Sequence, residues 1–149
     1  MRPFIRATSV AGTLDILAAI GLTLWYGKRG VDDMLRFVAS GPVPGATGWG
    51  LGGAILGLIV HFALMAVMVF AYLWAAERWP QMTAKPLVWG VTYGLITYVI
   101  MNLIVVPLRF GTPFPPSTVA IVTQLFCHIV LVGIPIALIT ARDVRTSAS

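Results

Sequence analysis

Four long apolar segments alternate with short polar segments along the chain. They cover residues 8–26, 51–76, 86–106 and 118–140. As helices rising about 1.5 Å per residue, they are long enough to cross the roughly 30 Å hydrocarbon core of a bilayer. The pattern therefore predicts an all-α polytopic membrane protein, in which one domain over residues 1–149 forms a bundle of four transmembrane helices.

A short amphipathic helix is predicted between the first two spans, over residues 31–39. One helical face carries its apolar side chains, and the opposite face carries Asp32, Asp33 and Arg36. The Gly- and Pro-rich run GPVPGATGWG follows and cannot continue a helix. We expect this helix to lie in the membrane interface.

Small residues recur every four positions on the predicted spans. Gly53 and Gly57 lead up to His61 on the second span, and Gly90 and Gly94 share a face of the third. Such spacing lets a neighbouring helix approach closely. The predicted helix-packing residues are Gly53, Gly57, Gly90, Gly94 and Gly133.

Prolines and hydroxyl side chains predict the ends of the spans. Pro86 suits a first helical turn, Pro107 is expected to end the third span, and Pro135 is expected to kink the fourth. Ser117 or Thr118 is expected to cap the start of the fourth span.

Composition supports a membrane protein. The chain is 58% hydrophobic and only 10% charged, whereas charged residues make up about a quarter of a typical soluble domain. The net charge of +5 comes from basic residues scattered over the segment ends, which argues against nucleic acid as a partner. The single cysteine, Cys127, excludes an intramolecular disulfide and is expected to be a small buried hydrophobe.

The distribution of basic residues predicts the orientation. Four spans place both termini on one side of the membrane. The terminal segments and the second loop carry six basic residues, against four in the other two loops. Positively charged segments are retained inside, so we expect the N- and C-termini in the cytoplasm.

Polar side chains interrupt the predicted spans. A charge at the bilayer centre costs about 2.5 to 3.5 kcal/mol on insertion scales, so these groups should face the bundle interior. Counted from the helix ends, His61 and His128 lie at nearly one depth, with Asp15 roughly one helical turn closer to the termini. The predicted column of buried polar residues consists of His61, His128, Asp15, Asn102, Gln124 and Arg109.

Several interpretations of this column stay open. Its members can simply form hydrogen bonds between helices. A b-type haem needs two facing imidazoles, small residues beside the ring and a cation for the propionates, which would be His61, His128, Gly57, Gly133 and Arg109. A metal ion or an exchanged proton would use the two histidines together with Asp15.

Five segments resemble a family of small, uncharacterised, four-span bacterial inner-membrane proteins. They are AGTLDIL (11–17), LRFVASG (35–41), GLIVHF (57–62), MNLIVVPL (101–108) and HIVLVGIPIAL (128–138). The resemblance implies a four-helix architecture and a bacterial cytoplasmic membrane. It implies no activity.

Motifs for hydrolytic, phosphoryl-transfer or dinucleotide chemistry are absent from the sequence, so we expect no catalytic centre. The small faces of the helices favour an accessory or oligomeric component of a membrane assembly, with lipid, other subunits or a second copy as partners. The alternatives are a haem-, metal- or proton-handling protein and a small-solute transporter working through the polar column.

Overall fold

The computed structural model describes residues 1–112 and 114–147, and in these ranges helices are the only regular secondary structure. In chain order they are α1 (Arg2–Tyr26), α2 (Val31–Ala39), α3 (Gly50–Arg78), α4 (Gln81–Ala84), α5 (Pro86–Phe110) and α6 (Thr118–Val144), with a 3₁₀ turn at Pro44–Gly48. Helical conformation continues beyond α6 to Ser147. The helices α1, α3, α5 and α6 are long and apolar enough to cross a membrane, which confirms the predicted four-helix bundle.

The four long helices form a ring in which α1 packs on α6. Helix α1 also packs on α3, and α6 also packs on α5. The ring closes between α3 and α5 through side chains. The Tyr93 hydroxyl donates to the Met68 carbonyl at 2.6 Å, and the rings of Tyr72 and Tyr93 meet edge to face at 5.0 Å. We call the end with residues 27–49, 111–112 and 114–117 the α2 end, and the opposite end the termini end.

A continuous buried core occupies the half of the bundle near the termini end. The short helix α4 covers it there through Met82. Its buried members are Ala7, Ala11, Met65, Val69, Tyr72, Ala76, Met82, Val132, Ile136 and Ala137. An ion pair between Arg6 and Asp143, 2.9 Å long, joins the first turns of α1 to the last turns of the chain.

Two helices extend further than the hydropathy pattern predicts. Helix α1 begins at Arg2, six residues before the predicted start, because Pro3 fits the first turn of a helix and residues 4–7 continue the helix into the span. The polar tail after residue 140, beyond the predicted end of the fourth span, is helical to Ser147. The end of that tail, residues 148 and 149, lies outside the described residues.

Pro107 does not end α5, contrary to the prediction. The helix widens into a π-helical segment at Val99–Val105 and continues to Phe110, where Gly111 ends it with φ 58°. Helix α6 has the same arrangement, with a π-helical segment at Cys127–Gly133 followed by Pro135. Each π-helical segment stops two residues before a proline, which lacks an N–H and crowds the carbonyl four residues earlier. The wider turn accommodates the proline without breaking the helix.

Glycines bring the α5 and α6 backbones into direct contact. A Cβ atom on Gly133 would overlap the Gly90 carbonyl oxygen, and a Cβ on Gly94 would lie 2.6 Å from the Ile129 Cα. Only glycine fits at these positions, because the opposing atoms belong to the backbone and cannot rotate away.

Gly53 and Gly57 of α3 contact α2 and the 3₁₀ turn rather than another membrane span. A Cβ on Gly57 would overlap the Leu35 carbonyl oxygen, and one on Gly53 would overlap the Ala46 carbonyl oxygen. Helix α2 has the predicted bounds and is packed along the first turns of α3. On its charged face Arg36 binds Asp32 and Asp33. These two ion pairs raise the pKa of Arg36 above its ordinary value.

Candidate functional site

Three ionisable side chains lie at one level near the middle of the bundle. Asp15 precedes the end of α1 at Tyr26 by eleven residues, and His61 follows the start of α3 at Gly50 by eleven. His128 follows the start of α6 at Thr118 by ten. At about 1.5 Å per residue all three are about 15 to 17 Å from the α2 end, roughly half the thickness of a hydrocarbon core.

The expected offset of Asp15 by one helical turn is wrong. The Asp15 Oδ2 lies 3.9 Å from the Nδ1 of His61. The prediction measured the depth of Asp15 from a helix start at residue 8. Because α1 in fact begins at Arg2, Asp15 is further from the termini end and level with the histidines.

His61 is oriented by the backbone of α1. Its Nε2 lies 2.9 Å from the Gly12 carbonyl oxygen, and Gly12 is buried where the Phe62 ring packs against α1. A carbonyl oxygen only accepts hydrogen bonds, so Nε2 carries the proton and donates. The neutral imidazole therefore presents the lone pair of Nδ1 to Asp15.

The contact between His61 and Asp15 requires a proton. A carboxylate and an imidazole lone pair both accept hydrogen bonds, so they repel each other when neither carries a proton. One proton on either group makes the contact attractive. The side chains are 12% and 25% exposed, so water contributes little to solvating a charge there. Either a neutral Asp15 beside a neutral His61, or a carboxylate beside an imidazolium, meets the requirement. In both forms the pair has no net charge.

His128 approaches Asp15 from α6. Its Nδ1 donates to the carbonyl of Gln124 at 2.9 Å, which leaves Nε2 as the free nitrogen. The edge of the ring meets Tyr98 of α5 at 6.0 Å. Helix α1 packs between α3 and the π-helical segment of α6, and both imidazoles lie within electrostatic range of the Asp15 carboxyl. Asp15 thus contacts His61, and His128 lies nearby on α6.

Other residues of the predicted column are placed elsewhere. Arg109 lies at the α2 end, where it donates to the carbonyl oxygens of Ser40 and Gly41 at 2.7 Å each. It therefore binds the carbonyl end of α2, a favourable position for a cation. Asn102 is half-buried within the π-helical segment of α5, eight residues before Phe110 and nearer the α2 end than the histidines. Gln124 contributes its backbone carbonyl to His128.

A cavity of about 640 Å³ opens at the α2 end between α1, α2 and α6. Its lining includes Ala19 and Gln124, which lie one helical turn from Asp15 and His128 respectively. Toward the termini end the buried Ala11, Met65 and Val132 close the bundle. The ionisable cluster thus lies between an open cavity and a closed core.

Sequence reasoning missed two contributions to the site. The Gly12 carbonyl fixes the tautomer of His61, but a backbone group carries no signal in the sequence. The cavity depends on how α1 and α6 diverge, which hydropathy does not report. The only indication of the site's geometry in the sequence was the spacing of Gly12 and Asp15, which places them on one face of α1.

The geometry bears on the cofactor alternatives. The Nε2 of His61, a nitrogen suited to coordinating an iron, already donates to Gly12. Among the described residues, no group of three or more His, Cys, Asp or Glu side chains converges as a metal ion would require. Comparison of the chain with family models, curated proteins and solved structures gave no match. The family resemblance therefore stays a prediction.

Proposed function

We propose that the chain is a proton-handling membrane protein in which Asp15 and His61 share one exchangeable proton. The observation that carries the proposal is the hydrogen bond from His61 Nε2 to the Gly12 carbonyl. It directs Nδ1 at the Asp15 carboxyl, 3.9 Å away, and makes their contact depend on a proton. Ionisable residues at membrane depth are costly and are typical of proton and ion pathways.

The exchange takes place without net charge in the membrane. A small rotation of the side chains brings the Asp15 carboxyl and His61 Nδ1 from 3.9 Å into hydrogen-bond distance, and the proton then moves from the carboxyl to Nδ1, which converts a neutral pair into a carboxylate and an imidazolium. The Nε2 proton stays on its hydrogen bond to Gly12 throughout. His128 offers Nε2 as a second acceptor within electrostatic range of Asp15. Protons reach the cluster from the cavity at the α2 end, because the core closes the opposite side.

The accessory-subunit interpretation has less support. It rested on small helix faces, yet the faces of Gly53 and Gly57 are covered by residues 35–46 of the same chain. Gly90, Gly94 and Gly133 are likewise used between α5 and α6. Exposed apolar side chains serve lipid and subunits equally, so an assembly partner stays a prediction. A solute transporter would need a path through the core at the termini end.

Histidine nitrogen signals test the shared proton. We expect ¹⁵N-histidine NMR of the reconstituted protein to show His61 as an Nε2–H tautomer whose Nδ1 signal is shifted by the shared proton. In Asp15→Asn an amide N–H replaces this proton as the donor to Nδ1, so the Nδ1 signal should move. His61→Gln and His128→Gln assign the signals. Asp32→Asn is the matched control, since Asp32 is exposed on α2 and bound to Arg36.

Proton movement provides the functional measurement. After a pH jump produced by a caged proton, the purified wild type and Asp32→Asn should take up protons faster than Asp15→Asn, as a soluble pH indicator reports. A His61 spectrum that is the same in the wild type and Asp15→Asn would overturn the shared proton. Equal uptake rates in all three proteins would overturn proton handling.

The orientation of the bundle belongs to the same proposal. We place the termini in the cytoplasm on the basic-residue count, and the protein in a bacterial membrane on the family resemblance, so that the cavity and the α2 end face outward. Reporter fusions after Lys85 and after Val43 test this. Cytoplasmic activity at Lys85 and exported activity at Val43 are expected, and the reverse result would invert the side from which protons enter.

A further inference from the structure

The cavity at the α2 end has the shape of an open slot between two spans. Helix α1 closely approaches α6 along Cys127–Gly133 and Ile134–Ser147, whereas Thr118–Phe126 diverges from it. Helix α2 supplies a further wall through Met34 and Phe37. The slot of about 640 Å³ is within the size range of small-molecule sites, roughly 300 to 1,000 Å³.

The slot has apolar walls and a cationic edge. Ala19 and Leu22 of α1 and Val119 and Ala120 of α6 line its length. At the level of the loop after α1, the described lining includes two cations, Lys28 and Arg29, and no acidic residue.

Arg29 is held at the slot by an aromatic contact. Its guanidinium carbon lies 5.8 Å from the centre of the Phe37 ring, within the range of a cation–π interaction. Phe37 is itself fixed by stacking on Phe110 of α5, with ring centres 4.3 Å apart. The cation is therefore positioned at the edge of the apolar walls.

We propose that the slot binds one acyl chain of an anionic phospholipid, taken from the surrounding bilayer. The chain lies along the apolar walls between α1 and α6, and the phosphate lies against Lys28 and Arg29. A zwitterionic lipid carries a second, positive headgroup charge that the two cations repel. The inference does not rest on the proposed proton exchange, but both use the same cavity, so a bound acyl chain would limit the access of water to Asp15 and His61.

Lipid selectivity tests the slot. Electron spin resonance of chain-labelled lipids separates a motionally restricted, protein-bound component from free lipid. In vesicles containing the full chain, we expect spin-labelled phosphatidylglycerol to bind more strongly than phosphatidylcholine. Lys28→Gln combined with Arg29→Gln should reduce this preference by roughly tenfold or more, because each basic residue near a membrane surface adds about a factor of five.

Two further variants separate the slot from a general surface effect. Ala120→Phe fills the slot from α6 and should remove the phosphatidylglycerol preference while leaving both cations in place. Arg2→Gln combined with Lys85→Gln removes two basic residues from the termini end and should leave the preference unchanged.

Three outcomes would overturn the proposal. Equal binding of the two lipids by the wild type would do so, and so would an unchanged preference in the Lys28 and Arg29 double variant. A preference that survives in a folded Ala120→Phe protein would show that the lipid is held by surface charge alone. If Ala120→Phe does not fold, Ala19→Phe fills the slot from α1 and decides the same question.

Discussion

The two halves of this bundle are built differently. Near the termini end, ten buried side chains from four helices form one continuous core. Near the α2 end, α1 and α6 diverge and leave a cavity of about 640 Å³. The ionisable cluster of Asp15, His61 and His128 lies at the boundary. A membrane protein needs close packing to hold its helices together, because lipid is as apolar as the side chains it would replace. Between the membrane spans, only the termini half has a continuous, closely packed core.

The contrast also concerns which contacts hold each half. The termini half is held by small residues and close van der Waals packing, as at Gly90 and Gly133. At the α2 end, Gly53 and Gly57 of α3 pack closely on residues 35–46, but α2 is joined to α5 by discrete polar and aromatic contacts, such as Arg109 on the carbonyls of Ser40 and Gly41. Changes in the first half should therefore reduce global stability, and changes in the second should act locally.

The largest loss is expected from Gly133→Ala. The added Cβ would overlap the Gly90 carbonyl oxygen, so α5 and α6 must separate, and overpacking of this kind costs about 3 kcal/mol at the upper end of its usual range. Gly21→Ala is the control, since a Cβ there meets nothing within 4 Å. The free energy of unfolding, measured by SDS titration in bicelles, should fall only for Gly133→Ala. Equal values for the two variants would contradict the contact between α5 and α6.

A smaller loss is expected from truncating a core side chain. Ile136 is fully buried, so Ile136→Ala should reduce the free energy of unfolding by about 2 kcal/mol, at the lower end of the range for such substitutions. Val119 borders the cavity and is 59% exposed, so Val119→Ala should change it little. The same titration compares them. A larger loss from Val119→Ala would mean that the α2 half is the packed one.

Two tyrosines at the ring closure offer a matched pair. The Tyr93 hydroxyl donates to the Met68 carbonyl, whereas the Tyr72 hydroxyl is buried and has no hydrogen-bond partner among the described residues. Tyr93→Phe should lower the free energy of unfolding by about 1 kcal/mol. Tyr72→Phe should leave it unchanged or raise it, because it removes an unsatisfied polar group. A loss in Tyr72→Phe as large as that in Tyr93→Phe would indicate a hydrogen bond to Tyr72.

The smallest global effect is expected at the α2 end. Arg109→Gln removes the guanidinium from Ser40 and Gly41, so amide hydrogens of residues 40–43 should exchange faster. The free energy of unfolding should stay within about 0.5 kcal/mol of the wild type, as for most surface substitutions. Hydrogen exchange with mass spectrometry gives the local rates. A cooperative loss of protection throughout α3 would show that the α2 end stabilises the whole bundle.

Hydropathy predicted the bundle because membrane spans leave a strong and local pattern. The four apolar segments and the amphipathic residues 31–39 were found in this way, and the observed α2 has the same bounds. The role of Pro107 was not predictable by the same means. A rule about proline assumes an α-helical ladder, and the π-helical segment Val99–Val105 removes that assumption by widening the turn before the proline.

The candidate site was predicted in its members more than in its geometry. The spacing of Gly53, Gly57 and His61 identifies a shared face, but a face does not specify which element covers it. Helix α2 covers the glycines and α1 contacts the histidine. The depth of Asp15 was misjudged because helix ends in polar sequence give weak signals. One error of six residues at Arg2 moved the carboxyl by more than a helical turn.

The contact between α1 and α6 has a consequence for the order of assembly. Of the four spans described, α1 is synthesised first and α6 last, and the pair of Arg6 and Asp143 joins them only after residue 143 has been made. Until then, the face of α1 that later packs on α6 is exposed to lipid. Asp15 meets its partner earlier, because His61 belongs to α3, the second span to be made. A nascent chain released after residue 112 would therefore already contain the paired carboxyl, but would lack the helix that completes the core.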